Sequence, residues 1–233
     1  MKPTDQPSPE RRSFLSSVNL TVTSLAALAF GSAAAADGQS KSPAPFEPAR
    51  HDKDDWMEIP SKHRLVFDTT AMEGFAEALA FAGNYQRVNR VDYGLQDSDL
   101  SVIVVARHRA TPFAYNDAIW AKYGEILSKP SKFEDPKTKE APKKNVFEVG
   151  DYGELLPNRG TTVDSLTKRG LRLAVCSTAT RGMAGMIAKA TGSKADDVNN
   201  ELISNLLNNG RMVPAGIVAV SRAQERGYTL VAG

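Results

Sequence analysis

The chain carries a single cysteine, Cys176, and its neighbours give that thiol a chemical setting. It closes the apolar run Leu171-Arg172-Leu173-Ala174-Val175 and is followed at once by Ser177-Thr178-Ala179-Thr180-Arg181-Gly182, a stretch of helical composition. A thiol placed where a strand ends and a helix starts meets free backbone N–H groups and the positive end of the helix dipole. Both favour the thiolate, the form that attacks electrophilic sulfur. Ser177 adds a hydroxyl and Arg181 a positive charge. The competing reading is that Cys176 is a small buried hydrophobe, and the residues alone leave both open.

His108 follows a second apolar run, and neighbouring loop ends of a parallel sheet converge, so it is expected to face Cys176 as a base or proton donor. A plain surface histidine is the alternative. Asn116 and Trp120 are expected to line the same cleft. Cys176 is therefore the catalytic candidate, with His108, Asn116, Ser177 and Arg181 supporting the cleft. His51 and His63 fall before or at the start of the first strand, the wrong edge for chemistry. Three scattered histidines and one cysteine offer no metal-ligand spacing, so no metal is expected. Walker, G-x-G-x-x-G and G-x-S-x-G patterns are missing, so no cofactor is expected either. A dithiol cycle needs a second cysteine, which leaves single-thiol chemistry or binding.

The elements that must hold these groups alternate between strand and helix. Leu65-Val66-Phe67 is a short apolar run leading to Asp68-Thr69-Thr70, after which Met72, Phe75, Ala76, Leu79 and Ala82 fall at helical spacing. Thr70 with Glu73 has the form of a capping box. Residues 100–106, rich in β-branched side chains and apolar on both faces, predict a central parallel strand. Thr111-Pro112 then precedes a helix predicted over 115–123. Residues 162–169 predict a short helix closed by Gly170, and 171–176 a buried strand. Helices are expected over 178–191 and after Ser193 as cap, ending at Asn208-Asn209-Gly210. Met212-Val213 is a short strand, Pro214 opens a last helix, and 228–231 form a final strand.

The sum is a doubly wound α/β domain: a mostly parallel sheet of about five strands with helices on both faces. In such folds reactive groups gather beyond the carboxyl ends of the strands. That selects the loops at 68–70, 107–111 and 176–182.

Other segments fall outside this pattern. Arg11-Arg12-Ser13-Phe14-Leu15 matches the twin-arginine motif, and residues 18–30 form an apolar run shorter than the ~20 residues needed to span a bilayer. Ala33-Ala34-Ala35-Ala36 supplies the cleavage site, so residues 1–36 are expected to be an export signal delivering a folded protein to the periplasm, without stable membrane insertion after cleavage. Residues 37–62 are expected to form a mostly extended arm, and 63–233 the domain. Within it, residues 124–160 hold four prolines and six lysines among acidic residues, expected to be an inserted, solvated surface. A net charge of +2 gives no reason to expect nucleic acid as a partner.

Val213-Pro214-Ala215-Gly216-Ile217-Val218-Ala219-Val220, followed by Gln224-Glu225-Arg226-Gly227-Tyr228, resembles the carboxyl-terminal signature of the DsrE/DsrF-like family. The run ending in Cys176 is similar to that family's cysteine-bearing strand, and residues 75–85 to its first helix. The segment from His108 to Tyr123, with Thr111-Pro112-Phe113 and Trp120-Ala121-Lys122-Tyr123, resembles an exported branch. The resemblance implies a flavodoxin-like fold, assembly into homo-oligomers such as trimers or hexamers, and a Cys176 that takes up sulfane sulfur as a persulfide and passes it to a thiol-bearing partner. The export signal, arm and lysine-rich segment depart from the cytoplasmic sulfur relays. A non-catalytic ligand-binding module, or an oligomeric interaction protein whose arm reaches a neighbour through Trp56, are the alternatives.

Overall fold

In a computed structural model, residues 46–150 and 152–233 are described. The export motif, its cleavage site and the first part of the arm lie outside the described residues.

Five strands form one parallel sheet: β1 His63–Thr69, β2 Leu100–Ala106, β3 Arg172–Cys176, β4 Gly210–Val213 and β5 Thr229–Ala232, in the order β4-β3-β2-β1-β5. Every residue of β2 is buried, as its β-branched composition requires of a strand paired on both edges and covered on both faces. The helices are α1 Met72–Val91, α2 Asp117–Ser128, α3 Val163–Thr167, α4 Ser177–Thr191, α5 Ala195–Ser204 and α6 Gly216–Glu225. This is the doubly wound, flavodoxin-like α/β architecture.

The two faces are covered unequally. Side chains of α1 to α5 share one core with Leu65, Phe67, Val102, Val104, Leu173 and Val175. The other core is smaller: Val66, Ile103, Val105, Ala174 and Val213 pack against Ala219, Val220 and Ala223 of α6 and against Met57. Met57 belongs to a 3-10 turn at Asp52–Met57 and is fully buried. The second half of the expected arm is thus folded onto the sheet. Its carbonyls explain why: Tyr228 Oη donates to Met57 O at 2.8 Å, Arg172 donates to Trp56 O, and the Arg172 guanidinium stacks over the Trp56 ring. Ser101 Oγ, 2.6 Å from Tyr228 Oη, completes this buried polar knot.

The lysine-rich segment is only partly the solvated surface expected of it. Its six lysines are exposed, but Phe133, Val146, Phe147 and Leu156 are buried in the larger core. Phe113 makes T-shaped contacts with Phe133 and Phe147, with ring centroids at 5.5 and 5.1 Å, and stacks with Trp120 at 5.3 Å. Asn145 ties the segment down. Its Nδ2 donates to Phe113 O at 2.9 Å and Tyr115 O at 2.7 Å, its amide donates to Asp117 Oδ1, and its Oδ1 accepts from Phe147 N.

Two expected caps are not formed. The chain stays extended through Ala71, because Thr70 O accepts the amide of Arg109, so α1 starts without a side-chain cap from Thr70. Before α5 the cap position is Lys194, and the Ser193 hydroxyl accepts from Thr191 instead. The short helix α3 is closed by Gly170 at φ 90°, as expected, and its start is capped by Thr162 with Ser165, which the sequence reading does not single out.

Candidate functional site

Strand register places the site. Ala106 pairs with Val175, and Cys176 pairs with Val213. The Arg107 amide extends the β1–β2 ladder by donating to Thr69 O at 3.1 Å, so Arg107 and Cys176 each come directly after the Ala106–Val175 pair of two adjacent strands. Side chains alternate between faces along a strand. Val66, Ile103, Val105 and Ala174 lie on the α6 face, so Asp68, Arg107 and Cys176, each an even step further, lie on that face too.

Cys176 is 7% exposed and occupies the cap position of α4. Its Sγ accepts the Ala179 amide at 3.4 Å, a weak bond that strengthens if the sulfur is ionised. The cysteine's own carbonyl is fixed from the larger core: Thr180 Oγ1 donates to it at 3.0 Å, and Tyr115 Oη donates to Thr180 Oγ1 at 2.8 Å. Burial holds the Tyr115 phenol far above its ordinary pKa, and negative charge on Cys176 pushes the same way, so Tyr115 remains a donor.

Arg107 is clamped to Asp68 by two parallel bonds, Nε to Oδ1 at 2.6 Å and Nη2 to Oδ2 at 2.8 Å. The hydrogen bonds to Asp68 raise its pKa, and the charges of Asp68 and Cys176 add to the effect. The arginine stem is covered by the first residue of α6. A β-carbon at Gly216 would stand 2.6 Å from Arg107 Cβ and 2.9 Å from its Cδ. Thr178 Oγ1 donates to Pro214 O at 3.2 Å, joining the start of α4 to the loop that feeds α6.

The other sequence candidates separate from this cluster. His108 is exposed, with a left-handed backbone at φ 54°, and the position beside the thiol belongs to Arg107. Asn116 caps α2, accepting from the amides of Ala118 and Ile119 while donating to Asn205 Oδ1. Trp120 is a core residue, 1% exposed, with its Nε1 donating to Pro112 O. Ser177 and Arg181 bond to each other at 2.8 Å on the exposed side of α4. Sequence reasoning selected the loops that begin at Asp68 and Arg107 but singled out neither residue, nor Tyr115. The first two were accessible from the face parity of β1, β2 and β3 alone.

Among the described residues no cluster of three His, Cys, Asp or Glu side chains is placed to hold a metal ion, and no helix is long and apolar enough to cross a membrane.

The fold and site define a parallel α/β domain with a thiol at a strand end beside a clamped arginine. No family model matches the chain, and no curated protein does. A solved structure of a protein of unknown function, MTH1491 from Methanobacterium thermoautotrophicum, aligns over 73% of this chain and 99% of its own, at 17% identity and a TM-score of 0.36.

Proposed function

We propose that this is an exported DsrE/DsrF-like protein that carries sulfane sulfur on Cys176. The observation that carries this reading is the position of the Cys176 sulfur at the end of β3, accepting an α4 amide, one residue past the Ala106–Val175 pair that Arg107 also follows. The reaction is an exchange. The Cys176 thiolate attacks the outer sulfur of a persulfide R–S–SH; a new S–S bond forms from Cys176 Sγ to that sulfur as the donor S–S bond breaks, and the electron pair of the broken bond leaves with R–S⁻, which takes a proton from water. Cys176 then carries –S–SH, and an acceptor thiolate removes the outer sulfur by the same step. No net oxidation occurs.

The chain's resemblance to the family supports this reading, as does the strand-end thiol; the twin-arginine motif supports a periplasmic address, and the family likeness a homo-oligomer. Intact mass after incubation with polysulfide is the test. An added 32 Da that disappears with dithiothreitol and is missing in Cys176→Ala is the expected outcome. A wild-type protein that gains no sulfur refutes the reading. Cell fractionation, with Arg11 and Arg12 both replaced by lysine as control, tests the address.

The burial of Cys176 favours a second reading, a ligand-binding module in which the thiol is structural. On that reading Cys176→Ala leaves ligand affinity intact.

A further inference from the structure

We propose that Arg107 is the specificity-determining residue of the Cys176 site, and that Asp68 positions it, so that the site selects anionic sulfur species over neutral disulfides. This rests on the sulfur-carrier reading and deepens it. A guanidinium has five N–H donors in a rigid plane. Two are engaged by Asp68, and among the described residues the remaining three have no other partner. The bidentate clamp fixes the plane, and Gly216 fixes the stem, so the unengaged edge is held in place rather than swept through solvent. The side chain is 26% exposed, enough for a ligand to reach it.

The geometry puts Arg107 on the strand next to the one that ends in the thiol. Arg107 and Cys176 each follow the Ala106–Val175 pair, and strand alternation puts both on the α6 face of the sheet. Their charges favour one another. Other charged candidates nearby are otherwise committed or exposed: Arg181 is bonded to Ser177, and His108 lies exposed on the turn. A donor bearing negative charge next to its transferable sulfur, such as a hydropolysulfide, therefore meets a fixed cation beside the nucleophile. The leaving anion and the anionic form of the Cys176 persulfide meet it as well. A neutral disulfide gains nothing from it.

The test compares alkylation of Cys176 in the full protein by iodoacetate and by iodoacetamide. The two reagents share a mechanism and meet the same opening, so the ratio of their rates reports charge recognition and cancels changes in exposure or thiol ionisation. Arg107→Gln is expected to lower the iodoacetate to iodoacetamide ratio roughly fivefold, the effect of one nearby partly screened charge. Arg107→Lys, which restores charge without the fork, is expected to recover most of it. An unchanged ratio in Arg107→Gln overturns the inference. So does an equal fall in Arg181→Gln, which would mark a general surface field, and so does a native thiol inert to both reagents. The polysulfide mass assay separates the two claims: sulfur uptake with an Arg107-independent ratio sinks this inference alone, whereas an Arg107-dependent ratio without sulfur uptake sinks the carrier reading alone.

Discussion

Gly216 and Arg107 touch so closely that a β-carbon at the start of α6 would force one of them to shift. Arg107 is itself pinned to Asp68, so its stem has no low-energy way to retreat. Gly216→Ala is therefore expected to cost about 1–3 kcal/mol through overpacking, visible as a lower urea midpoint with an unchanged slope. An unaltered midpoint would mean that α6 shifts freely.

Asn145 satisfies two carbonyls of the turn before α2 while accepting the amide of Phe147. Asn145→Ala leaves all three groups buried without a partner, and a loss of about 2–3 kcal/mol is expected. Limited proteolysis should show new cleavage within residues 129–160. If the segment stays resistant, the aromatic packing of Phe133 and Phe147 suffices to hold it.

The Tyr228 hydroxyl is the knot that holds the turn at Asp52–Met57 to the sheet. Tyr228→Phe is expected to cost about 1–2 kcal/mol and to speed hydrogen exchange in residues 52–58 more than in β2. Uniform acceleration across the protein would count against a local role.

Glu148 has its carboxyl pKa raised by burial first, and then by the charges of Asp117 and Asp164. One of its oxygens is buried without a hydrogen-bond partner. A raised acid works against folding at neutral pH, because the folded state resists ionising it. That penalty is complete above the folded pKa and is relieved as pH falls toward the ordinary value of 4.5. Glu148→Gln should raise Tm by about 1–2 °C at pH 7 and bring no gain at pH 4.5. A Tm lowered at pH 7 would refute the assignment.

The strands were legible because parallel pairing leaves a compositional mark: residues 100–106 and 171–176 carry apolar groups on both faces. Residues 37–62 and 124–160 were harder because their anchors are few. Met57, Phe133 and Phe147 sit among charges and prolines that dominate any average over the window. Cys176 stood out by its uniqueness, but its neighbour Arg107 did not, since a lone arginine after a strand has the signature of a solvated end. Its meaning lies in long-range pairing with Asp68, which local pattern does not encode. His108 drew attention through its chemistry one position too late in the alternation, where the chain has already turned.

The unequal covering of the sheet has a kinetic consequence. The thiol faces the side roofed by a helix of only ten residues, α6, and not the side packed by five helices. The sulfur is expected to gain access by opening on that smaller side, at the start of α6 beside Arg107, while the larger core stays intact. Its exchange rate should follow the free energy of that small opening and stay largely insensitive to mutations that weaken the aromatic cluster around Phe113 on the opposite face.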